Sequence, residues 1–305
     1  MNPADADNAG VSASEVQLLG SSDIRALLTK LGKRPTKTLG QNFVHDPNTI
    51  RRIVRVAAVG AGDVVLEIGP GLGSLTLGLL EAGATVAAVE IDPVLAAELP
   101  KTIGHYAPSY ADRLAVITAD AMQPLSLPPQ VREPVSVVAN LPYNVAVPVL
   151  LTLWEALPSL RSGLVMVQAE VAQRIAACPG SRIYGAPSVK LAWHAAVTRA
   201  GSVPRSVFWP VPNVDSELVR MIGRDPPQCA GTTPSRQEVF RVIEAAFAQR
   251  RKMLRTALVP LLGSPGRAEA VLHVAGVEPT ARGEMLELRD YLRIAAAAAG
   301  QPCGR

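Results

Sequence analysis

Four consecutive residues, Asn140-Leu141-Pro142-Tyr143, directly follow an apolar, β-branched run at 134–140 and combine groups able to do chemistry on an amine. The Asn140 side-chain oxygen and the Leu141 carbonyl can both accept hydrogens from one amine nitrogen. Pro142 stiffens the segment and biases Leu141 toward an extended backbone. Tyr143 adds a π face on which a planar heterocycle can stack. This set suits an exocyclic amine such as N6 of adenine, whose lone pair is delocalised into its ring and is a poor nucleophile. Two acceptors favour the nitrogen as it becomes tetrahedral, so positioning and polarisation supply the rate without a strong base. Asn and Pro are also ordinary turn residues, and on these four alone a plain strand-exit turn with a packed Tyr is an equal reading.

Upstream, Glu67-Ile-Gly69-Pro-Gly71-Leu-Gly73 places glycines where a strand-like run at 63–69 gives way to an apolar, helix-like stretch at 74–80. Backbone without Cβ atoms can approach a ligand closely there. Glu90 ends a second strand-like run at 85–91, where a carboxylate can accept both hydroxyls of an adenosine ribose. Asp120 follows a third run at 114–118 and can accept from an adenine amine. A Gly-rich turn by itself occurs in many doubly wound sheets, and a lone acid at a strand end is usually a solvated turn residue. The spacing here is GxGxG rather than GxGxxG, with no cradle for a pyrophosphate. The three sites in order favour a nucleoside of the S-adenosylmethionine (SAM) type over NAD. Hydride chemistry would also need a suitably placed His or Lys, and none accompanies these motifs.

These groups need elements that bring them to one edge. Strand-like runs at 63–69, 85–91, 114–118, 134–140, 163–168 and 217–222 alternate with helix-like stretches, among them Asp23–Leu31 closed by Gly32 and a helix opened by Pro93. That alternation implies a mainly parallel sheet with helices on both faces, its ligands meeting the carboxyl ends of the strands. Residues 1–20 read as a mobile tail, 21–225 as the nucleotide-binding domain, and 226–305 as a smaller all-helical domain introduced by the linker at 226–235.

Apolar residues make up 48% of the 305, charged residues 18%, and runs such as 145–151 fall far short of a membrane span. The polar, acidic start does not resemble a secretory leader, and three scattered cysteines suit a reduced cytoplasm. None of the four histidines stands at ligand spacing, so no metal is expected. A net charge of +4 permits a polyanionic partner. Arg250, Arg251, Lys252 and Arg255 crowd a stretch at 240–258 that reads as one or two helices and can neutralise RNA phosphates, with Arg174 and Arg182 as additions. A solvated helix face is the plainer reading of such a run.

The chain resembles the KsgA-type ribosomal RNA adenine dimethyltransferases, relatives of the Erm resistance methyltransferases. The motifs carrying the resemblance begin with Lys37-Thr-Leu-Gly-Gln41-Asn42-Phe-Val44 and the glycine-rich turn, then Val89-Glu90-Ile-Asp92, Asp120-Ala-Met122 and Asn140-Leu-Pro-Tyr-Asn144. Gln168-Ala-Glu-Val171, Phe208-Trp-Pro-Val-Pro-Asn-Val-Asp215-Ser and Ala246-Phe-Ala-Gln249-Arg250-Arg251-Lys252 complete it. It implies a Rossmann-like SAM-dependent methyltransferase sheet and a helical domain docking on a folded ribosomal surface. It further implies SAM held by Gln41, Asn42, Val44, Gly69, Gly71, Glu90, Asp120 and Asn140, with Phe208 stacking a flipped adenine against Tyr143. The implied reaction is dimethylation of N6 on two adjacent adenosines of small-subunit rRNA by a protein that is a monomer when free. Erm-type methylation of large-subunit rRNA and a mainly non-catalytic assembly role are the alternatives. One departure is visible: Val145-Ala-Val-Pro148 lacks the small hydroxyl residue the family usually places before that Pro.

Overall fold

A computed structural model describes residues 16–33, 42–142, 145–229 and 232–300. Nine strands are found among them: β1 (Phe43–Val44), β2 (Val64–Ile68), β3 (Thr85–Glu90), β4 (Leu114–Thr118), β5 (Ser136–Asn140), β6 (Ser162–Gln168), β7 (Ala195–Val203), β8 (Phe208–Trp209) and β9 (Ser216–Gly223). Seven form one sheet in the order β4-β3-β2-β5-β6-β9-β7. From β4 to β6 every pair is parallel, whereas β9 runs antiparallel to both β6 and β7. The expected parallel sheet is therefore present with an antiparallel edge. The sequence reading missed β7, which is only partly buried and changes register near Gly201. It also missed the two-residue ribbon that pairs Phe43 with Trp209 and Val44 with Phe208.

Strand alternation divides the core into two layers. Val65 and Val138 face one side with residues of α1 (Ser21–Lys30), α2 (Pro47–Ala57), α3 (Ser74–Glu81) and α4 (Pro93–Tyr106). Leu66, Ile68, Ala139 and Val165 face the other, under α5 (Ala146–Ala156), α6 (Ala169–Ile175) and Leu191 of α7 (Ala186–Ala192). Two of the helices start on Pro, with an Asp cap just before it: Asp46 accepts from the Thr49 N–H at 2.8 Å and Asp92 from the Val94 N–H at 2.9 Å. The mobile tail expected over 1–20 is corrected for its last five residues. Val16, Leu18 and Leu19 are buried in the first layer, and the Gln17 N–H donates to the Tyr106 carbonyl. Residues 1–15 lie outside the described residues.

The remaining helices are α8 (Arg236–Ala248), α9 (Leu254–Ala257), α10 (Val259–Leu262), α11 (Pro265–Val274) and α12 (Leu288–Ala298). Their apolar faces meet in a third core that also takes Tyr184, Val189 and Trp193 from before residue 225. The helical part thus closes its core with help from α7 rather than alone. Of the one or two helices expected over 240–258, the structure has two, because α8 stops at Ala248 and α9 begins at Leu254. Cys178 is a free, exposed thiol and Cys229 is disulfide-bonded. Among the described residues no helix is long and apolar enough to cross a membrane.

Candidate active site

Parallel register delivers the candidate groups to one edge. Glu90 closes β3 and Asn140 closes β5, while Asp120 lies just past the end of β4. A cavity of about 330 Å³ opens there, at the carboxyl ends of the strands. Besides Asn140, six residues expected to hold the cofactor line it, namely Asn42, Val44, Gly69, Gly71, Glu90 and Asp120. Asn140, Leu141 and Pro142 line the same space. Gln41 and Tyr143 lie outside the described residues.

The glycine-rich turn and the first acid are built as one unit. Gly71 has φ +59°, and a Cβ there would sit 2.9 Å from Cε1 of the Phe43 ring. Its N–H donates to Glu90 Oε2 at 3.0 Å, and the Asp92 N–H donates to Oε1 at 2.9 Å. Each carboxylate oxygen of Glu90 therefore has one lone pair committed to aiming it and another left for a hydroxyl donor. Burial raises the Glu90 pKa even against these backbone donors. Asp120 is oriented likewise, its Oδ1 accepting from the Met122 N–H at 2.9 Å.

The Asn140 amide is fixed from its nitrogen end, with Nδ2 donating to the Asn42 carbonyl at 3.0 Å. Among the described residues no donor engages Oδ1, which leaves that end free to accept from a ligand. The Leu141 N–H donates to the Met166 carbonyl at 3.1 Å, and its side chain is buried in the second layer. Pro142 then turns the chain, its carbonyl accepting from the Val145 N–H at 3.3 Å. A rigid strand end, an anchored Leu and a turn thus hold the acceptors in place.

Several groups had no role in the sequence reading. Glu67 is only 1% exposed although it sits inside an apolar strand, and it lines the cavity. The Thr76 hydroxyl donates to its Oε2 at 2.7 Å. Burial pushes its pKa up to about 8, with the Thr76 bond opposing and the Glu90 charge adding to the rise. Its signal was present: a Glu within an apolar strand run that is buried on both faces is costly unless used. Ser74, in the first turn of α3, also lines the cavity, and its buried Oγ has no partner among the described residues. Ile91 and Met122 stand in the wall at 55% and 41% exposure, unusual for large apolar side chains.

Two groups of expected site residues lie away from the cavity. Phe208 is 1% exposed in the first core layer and does not line the cavity. Alternation in the ribbon turns Phe208 inward beside Val44 and leaves Trp209 half-buried. The cation cluster is also divided by acidic partners. Arg250 pairs with Glu284 and donates to the Arg182 carbonyl, and Arg255 pairs with Glu269. Arg251 and Lys252 are exposed and make no ion pair among the described residues. They sit in the break between α8 and α9, where the backbone departs from a continuous helix.

The residues present fit SAM. Glycine backbone at Gly69 and Gly71 allows close approach, Ile91 and Met122 offer apolar faces, and Ser74 Oγ awaits a partner. Among the described lining residues there are three carboxyl groups, Glu67, Glu90 and Asp120, and no Lys, Arg or His. That balance suits a ligand carrying net positive charge. No group of residues able to hold a metal ion is found among the described residues.

Comparison with known proteins agrees with this geometry. The chain is 59% identical over 283 residues to ribosomal RNA small subunit methyltransferase A of Thermobifida fusca, covering 93% of this chain and 97% of that protein. The protein of the same name from Cutibacterium acnes is 56% identical over 288 residues, 94% of this chain and 96% of the relative. Among solved structures, a dimethyladenosine transferase from Plasmodium falciparum shares the fold at TM-score 0.69 and 24% identity, covering 86% of this chain and all of that one. The 23S rRNA methyltransferase ErmE aligns at TM-score 0.60 and 26% identity, over 84% of this chain and 99% of its own. A family model described as ribosomal RNA adenine dimethylase matches residues 32–299. The sheet order, the acid-lined cavity and this match together place the chain in the ribosomal RNA adenine dimethylase family.

Proposed function

We propose that this chain uses SAM to dimethylate N6 of two adjacent adenosines in small-subunit (16S) rRNA, acting on the small subunit or its precursor during ribosome biogenesis. One juxtaposition supports the reading above all: the acids suited to an adenosyl group and the Asn140-Leu141-Pro142 acceptors line a single cavity. When bound, SAM supplies a methyl group activated by a sulfonium. Glu90 accepts the ribose hydroxyls, Asp120 accepts from the adenine amine of the cofactor, and Ile91 and Met122 cover its ring. Asn140 Oδ1 and the Leu141 carbonyl accept hydrogens from the target amine, drawing its lone pair out of the ring as it attacks. Tyr143 contributes a stacking face for the extruded base, and Arg251 and Lys252 hold RNA phosphates.

The test is incubation with methyl-labelled SAM and unmethylated small subunits, followed by nucleoside analysis. The expected product is N6,N6-dimethyladenosine, and Asn140→Ala is expected to lower its rate roughly 10²-fold or more, as for loss of one preorganised polar group. A primer-extension stop confined to large-subunit rRNA would move the chain to the Erm-type reaction. The identity to small-subunit relatives, well above that to ErmE, favours the small subunit.

A further inference from the structure

Glu67 and Glu90 meet in the cavity with no cation to balance them. Glu67 projects from β2 between Ala88 of β3 and Val138 of β5, both apolar, and is enclosed by α3. The donor it has is the neutral hydroxyl of Thr76. The charged group that faces it is Glu90 at the end of β3, also acidic, and Asp120 past β4 lines the same cavity. Asp92 carries its own counterion in Lys33, which holds the Asp92 carboxyl low in spite of burial. Glu90 has two backbone donors for its charge and Glu67 has none. In a buried space of this kind the second carboxyl is the one that keeps a proton.

Resting on the SAM reading above, we propose that the Glu67–Glu90 pair makes the cofactor site charge-selective. Glu67 holds a proton while the cavity is empty or filled by the thioether product, and gives it to solvent when a sulfonium-bearing cofactor enters. The charge count closes. SAM brings a sulfonium and an ammonium against one carboxylate, a net +1, and Glu67 on ionising adds −1 to the site. S-adenosylhomocysteine brings a net charge of zero and gives Glu67 no reason to ionise. The spent cofactor is thereby held less firmly than the fresh one, which helps each of the successive methyl transfers to begin with exchange. Burial acts in the same direction, since it pushes the Glu67 pKa to about 8 in the ligand-free protein. Glu67 is a specificity-determining residue in this scheme and takes no part in proton removal from the target amine.

Isothermal titration of the full chain with SAM or S-adenosylhomocysteine, repeated at pH 7 in buffers of different ionisation enthalpy, counts the protons released. The expected result is about one proton per SAM and close to none per S-adenosylhomocysteine. The SAM Kd is expected to tighten by up to about tenfold per pH unit between pH 6.5 and 8, while the product Kd stays nearly level. Glu67→Gln is expected to abolish the release and to narrow the ratio of the two affinities. The wild-type proton count stands even if that variant fails to fold. Equal release for both ligands, no release for either, or full release retained in Glu67→Gln overturns the proposal while leaving the SAM site intact. Failure of both ligands to bind overturns the SAM reading itself and this inference with it.

Discussion

Glu67 shows what a single buried acid does to a protein before any ligand arrives. Its pKa is about 8 in the folded chain against an ordinary value of 4.5, so the folded state binds the extra proton between those limits. Stability from this group is complete below about pH 4.5 and is lost as pH rises toward 8, at up to about 1.4 kcal/mol per pH unit. Ligand-free Glu67→Gln is expected to match wild type near pH 5 and to exceed it increasingly toward pH 8, read by urea denaturation across pH; a difference that stays constant with pH sinks this. Gly71 makes a second case. Gly71→Ala puts a Cβ 2.9 Å from the Phe43 ring at φ +59°, with an expected loss of about 1–2 kcal/mol of stability and on the order of tenfold in SAM affinity. The residues legible in the sequence were those with a distinctive type at a strand end, Glu90, Asp120 and Asn140. Glu67 was in view only as a letter of the motif, because periodicity marks it as one polar residue in an apolar strand and does not report that Thr76 is its donor. Phe208 is the converse case: an aromatic in a Pro-rich loop reads the same whether its ring stacks a base or fills the core, and in the ligand-free chain it is buried.

Elements were most legible where their residues are mostly apolar. The strands from β2 to β6 are continuous apolar runs, so their order along the chain and their parallel sense follow from composition and from the helices between them. β7 escaped because an edge strand with Thr, Arg, Gly and Ser at exposed positions carries no apolar alternation. The ribbon of β1 and β8 is too short for any periodic signal, yet it ties the Asn42–Val44 wall of the cavity to the Pro-rich loop, with the His45 N–H also donating to the Val207 carbonyl at 2.9 Å. The contact of α2 with α3 depends on Gly78, whose absent Cβ would fall 2.3 Å from Cγ2 of Ile50 and 3.3 Å from Cγ2 of Val54. Ala is the better helix former by about 1 kcal/mol, but overpacking at such a contact costs about 1–3 kcal/mol. Gly78→Ala is therefore expected to destabilise, and adding Ile50→Ala to it should cost less than Ile50→Ala does in the wild-type background. A denaturation cycle over the four proteins checks this, and strict additivity would remove the steric explanation.

For the molecule as a whole, charge distribution matters more than charge total. An excess of four cations over 305 residues is a weak field for a polyanion the size of a ribosomal subunit, so RNA affinity has to come from local clusters. The run at 250–255 reads in the sequence as four equivalent cations, because ion pairs with residues distant in the chain leave no trace there. In the fold, Glu284 and Glu269 take up Arg250 and Arg255, and Arg250 also braces the Arg182 carbonyl. Arg255 ties the helical part to itself, Arg250 also ties it to the segment around Arg182, and Arg251 with Lys252 is left to face solvent in the break after α8. The two pairs should then separate experimentally. Replacing Arg251 and Lys252 together by Ala is expected to leave the melting temperature unchanged while flattening the salt dependence of RNA affinity by about 1.4–1.8 in log–log slope, the contribution of two phosphates. Arg250→Ala is expected to do the reverse, lowering thermal stability with a smaller change in that slope. Binding of unmethylated small subunits measured across a salt series, beside thermal melts of the same proteins, distinguishes them. Equal slopes for all variants would mean that the helical part meets its RNA through a different face.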